Sequence, residues 1–122
     1  MLSLQWHQRM GSLMAKFQAA VVRGFKNWNN FSGRAAVPEY WYFVLAMYIL
    51  NFLVGLASNG SSGSNIVTLV FFVPGLAAGI RRMHDTGRSG WWLLLPIVNF
   101  VFLCGKPEAG LNKYGPPSPP LV

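Results

Sequence analysis

The first thirty residues repeat apolar side chains at helical spacing. These residues recur every three or four positions, as one face of a helix with about 3.6 residues per turn requires; they are Trp6, Met10, Leu13, Met14, Phe17, Val21, Phe25 and Trp28. The other side carries the basic residues Arg9, Lys16, Arg23 and Lys26. Such helices are typical of segments that lie flat in a membrane interface. The pattern therefore predicts an amphipathic, basic interfacial helix over residues 1–30. Packing of the same face on a partner protein is the alternative.

The uncharged run from Tyr40 to Ala57 predicts a first transmembrane helix. A helix of this length extends about 27 Å, close to the roughly 30 Å hydrocarbon core of a bilayer. Trp41 and Tyr42 stand at its start, where aromatic rings favour the headgroup boundary, so Trp41 is a predicted interface anchor. Asn51 is expected to face another helix, because an unpaired amide is costly in lipid.

A second apolar run extends from Asn65 to Ile80, after the polar loop SNGSSGS at residues 58–64. Pro74 is expected to kink this helix, because proline removes a backbone hydrogen bond. Gly75 and Gly79 form a GxxxG pair, a spacing that lets another helix approach closely. The run predicts a second transmembrane helix whose two glycines form a packing face.

The third apolar run, Trp91 to Cys104, is interrupted by Pro96 and Asn99. As a helix it would extend only about 21 Å, which is short for a full crossing. It fits a crossing of a thinned bilayer, a tilted and kinked crossing, or a re-entrant segment, and we favour a crossing. Trp91 and Trp92 are predicted interface anchors.

Composition favours a membrane location for these runs. Hydrophobic residues make up 52% of the chain and charged residues 11%, whereas a soluble domain has about 25% charged residues. Ten lysines and arginines against three acidic residues give a net charge of +7, which requires a negative partner. Nucleic acid is excluded, because long apolar runs separate the basic clusters; the anionic phospholipids of the cytoplasmic leaflet are the predicted partner.

The distribution of basic residues predicts the orientation. Five of them precede the first apolar run and three lie between the second and the third, whereas the SNGSSGS loop has none. The positive-inside rule therefore predicts that the N-terminus and the 81–90 loop face the cytoplasm. Lys106 and Lys113 favour the same side for the tail, but a third crossing would place the tail outside, and the two arguments conflict.

Together these patterns predict an all-α integral membrane protein. An amphipathic N-terminal interfacial helix over residues 1–30 precedes a transmembrane helical domain over residues 31–105. That domain contains about three short transmembrane helices, the third short and kinked. The Pro-rich C-terminal tail over residues 106–122 has no apolar periodicity and is expected to be extended.

Three segments resemble the signature segments of domain-of-unknown-function family 805. They are FSGRAAVPEYW at Phe31–Trp41, MHDTGRSGWW at Met83–Trp92 and GLNKYGP at Gly110–Pro116. Members of that family are small bacterial inner-membrane proteins. The resemblance therefore implies an integral protein of the bacterial inner (cytoplasmic) membrane, and it implies no biochemical activity.

The stretch RRMHDTGRSGWW, between the second and third apolar runs, is the main candidate site. It is first interpreted as a structural network in which Asp85 pairs with Arg81, Arg82 or Arg88 and His84 completes the set, lowering the cost of charge near lipid. A second interpretation is an anionic-lipid site, because three guanidinium groups could chelate a phosphate. Catalysis by the His-Asp pair is disfavoured, because no Ser or Cys nucleophile in a recognised context accompanies it.

Two non-enzymatic functions follow from this interpretation. We favour an accessory or scaffold protein that docks on another membrane protein, or on a second copy, through its glycine face and amphipathic helix. The alternative is a lipid-binding or transport-related protein that uses the Arg-rich loop as a headgroup site. No catalytic residue or cofactor is expected. No metal site is expected either, because Glu39, Asp85 and Glu108 are far apart in the sequence and His7 and His84 are the only imidazoles.

Overall fold

The computed structural model describes residues 1–60 and 63–122, and these residues fold into helices joined by short connections. The helices are α1 (Leu2–Lys26), α2 (Val37–Ala57), α3 (Gly63–Asp85), a 3₁₀ helix (Gly90–Leu94) and α4 (Val98–Leu103). Within the described ranges no strand occurs, and one isolated bridge joins Asn112 and Gly115. The all-helical prediction is confirmed. Residues 61 and 62 of the predicted polar loop lie outside the described residues.

Helices α2 and α3 pack as an antiparallel hairpin. Both are long and apolar enough to cross a membrane. Pro38 occupies the first turn of α2, where its missing N–H is not needed, and the N–H of Ala36 donates to Glu39 Oε2 at 3.3 Å. Across the hairpin, Thr68 Oγ1 donates to Asn51 Oδ1 at 3.2 Å. The amide of Asn51 therefore faces the neighbouring helix, as expected.

Helix α3 continues beyond its apolar run to Asp85 and ends in a Schellman motif. The N–H of Arg88 donates to the Met83 carbonyl and the N–H of Gly87 to the His84 carbonyl, each at 3.0 Å. Gly87 has a φ of +80°, which glycine adopts without a steric penalty. The motif keeps the charged residues at the end of α3 on a rigid helical turn.

The third apolar run is not a single kinked helix. It is divided into the 3₁₀ helix and the short α4, with three residues between them. Pro96 has no N–H to donate and disfavours a helical conformation at Leu95, which has φ −96° and ψ 105°. Ile97 then adopts a φ of +70°, which is unfavourable for a β-branched residue. The helix therefore breaks at these residues.

Both ends of this divided segment lie beside the same end of α3. Near its start, a Cβ added to Gly90 would be 2.8 Å from Ile80 Cγ2. At its far end, Arg82 Nε donates to the Leu103 carbonyl at 3.0 Å and Arg82 Nη2 to the Gly105 carbonyl at 2.5 Å. The segment thus leaves and returns to the same end of the hairpin, and the C-terminal tail begins there.

Helix α1 packs on the hairpin through its C-terminal part only. Ala20 and Gly24 are buried, and a Cβ on Gly24 would collide with the ring of Phe43. Phe25 packs edge-to-face on Phe43 and Phe71, with ring centroids 5.4 and 5.0 Å apart. The first fourteen residues are exposed. The close approach at Gly24 therefore sets the point at which α1 meets the aromatic core.

Candidate functional site

Two arginines hold the buried carboxylate of Asp85, one on each oxygen. Arg34 Nε lies 2.8 Å from Oδ1 and Arg82 Nη1 lies 2.8 Å from Oδ2. All three residues are at most 5% exposed. Charge-assisted hydrogen bonds of this length are among the strongest in proteins. We call Arg34, Arg82 and Asp85 the arginine clasp.

The clasp holds the start of the tail through backbone carbonyls. Arg34 Nη1 donates to the Gly110 carbonyl at 2.5 Å and Arg34 Nη2 to the Glu108 carbonyl at 2.6 Å. The N–H of Glu108 donates in return to the Asp85 carbonyl at 2.8 Å. Buried donors without acceptors are costly. The two carbonyls therefore stabilise the buried guanidinium of Arg34, and the same hydrogen bonds fix the position of the tail. The tail is therefore irregular in backbone conformation but specifically attached.

A second buried acid, Glu39, connects α1, α2, α3 and the tail. Its Oε1 lies 3.5 Å from Arg81 Nη1 and 3.7 Å from Arg23 Nε. Its Oε2 accepts a hydrogen bond from the Ser118 hydroxyl at 2.8 Å, and Arg23 Nη1 donates to the Pro119 carbonyl at 2.7 Å. Arg23, which the helical pattern places among solvated cations, thus points to an acid and to the tail.

His84 contacts the tail rather than the carboxylate of Asp85. Its ring stacks on Tyr114 with centroids 3.8 Å apart and an interplanar angle of 4°. Its Nδ1 lies 2.9 Å from the Gly33 carbonyl, and Asn112 Nδ2 donates to the His84 carbonyl at 3.0 Å. Over residues 1–60 and 63–122, no group of three or more His, Cys, Asp or Glu side chains could hold a metal ion.

The structure separates the three arginines of the predicted site. Arg82 pairs with Asp85, whereas Arg81 pairs with the other buried acid. Arg88 lies over the ring of Phe102, 3.7 Å from its centroid. In place of one network within the loop, the structure contains two acid-centred networks and a separate cation–π contact. The three guanidinium groups do not converge on one phosphate position.

The predicted packing glycines face parts of the same chain. A Cβ on Gly79 would lie 3.1 Å from Leu93 Cδ1, so this glycine lets the 3₁₀ helix approach α3 closely. Gly75 has more space, its nearest neighbour being Phe43 Cε1 at 3.9 Å. The tighter glycine contact at Gly24 was not identified from the sequence, because a lone glycine in a basic helix gives no pattern.

The three predicted anchor tryptophans differ in their surroundings. Trp41 Nε1 donates to the Leu103 carbonyl at 3.2 Å, which ties α2 to the end of α4. Trp92 packs edge-to-face on Phe102, with centroids 5.4 Å apart. Trp91 is 78% exposed. Trp41 therefore attaches the third apolar run to α2, Trp92 packs within that run, and Trp91 faces outward.

Sequence reasoning missed Arg34 and Glu39 as site residues. It counted Arg34 only as one of the positive charges before the first span, because a sequence does not show which backbone carbonyls a guanidinium will reach. The available signal was that both residues lie in FSGRAAVPEYW. That segment, the segment around Asp85 and the segment around Gly110 meet at the clasp.

A family comparison covers the residues that build this site. The family model described as "Protein of unknown function (DUF805)" matches residues 28–116, a range that includes all three of these segments. The chain belongs to this family. The arginine clasp is thus formed entirely within the family's domain, whereas all of α1 precedes it.

Several curated proteins are similar to this chain over most of its length. Inner membrane protein YhaH of Escherichia coli (strain K12) is 37% identical over 111 residues, which cover 78% of this chain and 92% of YhaH. Inner membrane protein YhaI of the same strain is 40% identical over 102 residues, 74% of this chain and 86% of YhaI. Uncharacterized protein YiiR is 31% identical over 82 residues, 63% of this chain and 56% of YiiR. No solved structure matches.

Proposed function

We propose that this chain is a small, non-enzymatic integral protein of the bacterial inner membrane, with α2 and α3 as its two crossings. The observation that carries the proposal is the exposure of large apolar side chains along both helices. Those more than 60% exposed in the described parts of α2 and α3 are Tyr48, Phe52, Leu56, Ile66, Leu69 and Phe72. Soluble monomers rarely expose a contiguous apolar surface of this kind, whereas lipid would cover it. The names of the relatives YhaH and YhaI support the same location.

In this proposal the third apolar run is a re-entrant segment and not a third crossing. Its two ends lie at the same end of the hairpin, so the tail is on the same side as the 81–90 loop. The positive-inside rule then assigns that side, and the N-terminus with it, to the cytoplasm. The conflict between the tail lysines and a third crossing disappears.

The exposed part of α1 is proposed to lie on the cytoplasmic membrane surface. Leu2, Trp6, Met10 and Leu13 are all at least 40% exposed in the folded chain, and Arg9 is exposed among them. Apolar side chains interspersed with cations favour the interface of a bilayer rich in anionic phospholipids. The membrane would cover the apolar surface that the rest of the protein leaves open.

We further propose that the protein acts as an accessory or scaffold component that docks on a larger membrane complex. The re-entrant segment supports a protein partner, because irregular backbone at membrane depth is tolerated only where protein or a water-filled cavity covers it. Ile97, at the break in this segment, is 81% exposed. The two buried acids support a structural role, because both form ion pairs that hold the tail.

The alternative, an anionic-lipid site formed by the Arg-rich loop, has weaker support. Arg82 is occupied by Asp85 and by carbonyls, and Arg88 lies on Phe102. Among buried side-chain atoms of the described residues, only Arg81 Nη2 is a donor without an acceptor.

Site-specific photo-crosslinking in living cells tests the accessory role. A photoreactive residue at position 97 should give one discrete protein adduct, and one at Leu69, on the proposed lipid-facing side, should give mainly lipid adducts. A residue at the buried Phe43 serves as the control and should give no intermolecular adduct. Lipid adducts alone at position 97 would contradict the docking proposal. Release of the chain from membranes by alkaline carbonate would contradict integral insertion.

A further inference from the structure

A cavity of about 560 Å³ lies between the end of α1 and the proline-rich tail, and Arg34 of the arginine clasp lines it. Its wall includes four basic side chains and one acidic side chain, namely Arg23, Lys26, Arg34, Arg81 and Glu39. We call this cavity the tail pocket. The excess of positive charge in its wall favours an anionic ligand.

Two of the four cations retain capacity for a ligand. Arg34 is occupied by Asp85 and tail carbonyls, and Arg23 donates to the tail. Arg81, in contrast, is 3% exposed, and its Nη2 has no hydrogen-bond partner in the described residues. Lys26 is exposed and forms no salt bridge within the described ranges. Arg81, whose guanidinium has one unsatisfied nitrogen, and Lys26, whose ammonium has no salt bridge, therefore both line the same cavity.

We propose that the tail pocket binds a phosphate-bearing anion through Lys26 and Arg81. Phosphate oxygens accept several charge-assisted hydrogen bonds and would supply the acceptor that Arg81 Nη2 lacks. The tail side of the wall offers no backbone N–H to an anion at Pro116, Pro117 and Pro119, because proline has none. The phosphate belongs either to a phospholipid headgroup or to a soluble phosphate compound. Only the phospholipid source rests on the proposed membrane location.

Titration of the full-length protein in uncharged detergent with inorganic phosphate tests the pocket directly. Wild-type protein should show saturable binding by calorimetry, and Lys26→Gln should weaken it by about fivefold, the upper range for an exposed charge. Lys106→Gln is the matched control, because it removes an exposed lysine that does not line the cavity. It should change the affinity by less than about twofold. Arg81→Lys keeps the charge but replaces the three guanidinium nitrogens, Nη2 among them, by one ammonium; it should also weaken binding while size-exclusion profiles stay unchanged.

A second arm distinguishes the two phosphate sources. Wild type and Lys26→Gln are placed in nanodiscs of phosphatidylcholine with or without phosphatidylglycerol, and retained lipid is counted by native mass spectrometry. Preferential loss of phosphatidylglycerol from Lys26→Gln identifies a headgroup site, and equal retention beside weakened phosphate binding identifies a soluble ligand. Absence of saturable phosphate binding by the wild type, or equal affinity of the two lysine variants, would overturn the proposal. Neither result affects the photo-crosslinking test of the accessory role.

Discussion

Substitution of Asp85 by Asn should remove much of the stability of the fold. The carboxylate accepts hydrogen bonds from Arg34 Nε and Arg82 Nη1, both at 2.8 Å, and it is 2% exposed. An asparagine can accept from one arginine, but its amide N–H₂ then faces the other, and two buried cations lose their counter-charge. Removing one partner of a buried ion pair costs about 3–5 kcal/mol. The ratio of folded to unfolded protein should therefore fall by about two to three and a half powers of ten.

Reversible unfolding by sodium dodecyl sulfate in mixed micelles measures this free energy, followed by Trp fluorescence. Glu108→Gln is the matched control: it also neutralises an acid, but Glu108 is exposed and its side chain forms no salt bridge in the described structure. The control should stay within about 0.5 kcal/mol of wild type. An Asp85→Asn loss smaller than about 1 kcal/mol, or equal to that of the control, would refute the clasp as the main tie between hairpin and tail.

Two further predictions concern α1. Gly24→Ala should destabilise the protein by about 1–3 kcal/mol, because the new Cβ collides with the ring of Phe43. Gly11→Ala, where no atom lies within 4 Å of the new Cβ, should be neutral or stabilising by up to about 1 kcal/mol; equal effects in the same unfolding assay would exclude the close crossing. A peptide of residues 1–26 should become helical on anionic vesicles and lose binding as salt rises. Equal binding to neutral vesicles at every salt concentration would favour a protein-docking helix.

The two long apolar helices, α2 and α3, were predictable because each contains a long run of residues without charge. The uncharged run that begins at Tyr40 lies within α2, which starts three residues earlier at Val37 because Pro38 and Glu39 suit a first helical turn. The end of α3 was placed too early, at Ile80. The sequence contains a cluster of charges there, and only the tertiary structure supplies the partners that let the helix continue.

The third apolar run and the clasp were beyond sequence reasoning for a different reason. Composition cannot distinguish a kinked helix from one that breaks and turns back, because the hydrogen bonds from Arg82 to the Leu103 and Gly105 carbonyls that hold the returning end form only in the folded chain. Arg34 was unpredictable as a site residue, because most of its acceptors are backbone carbonyls, which every residue has. The sequence singled out the loop around Asp85, whose carboxylate pairs with Arg82 of the same stretch and with Arg34 of a distant segment.

The most direct test of the account is the side of the membrane on which the tail lies. In a Cys104→Ala background, single cysteines are introduced by Leu111→Cys, Arg88→Cys and Ser61→Cys and probed with an impermeant thiol reagent in intact and in permeabilised cells. Position 111, on an exposed residue of the tail, should react only after permeabilisation, as position 88 does, whereas position 61 should react in intact cells. Labelling of position 111 in intact cells would show that the third apolar run crosses the membrane and would contradict a tail held at the cytoplasmic end by the arginine clasp.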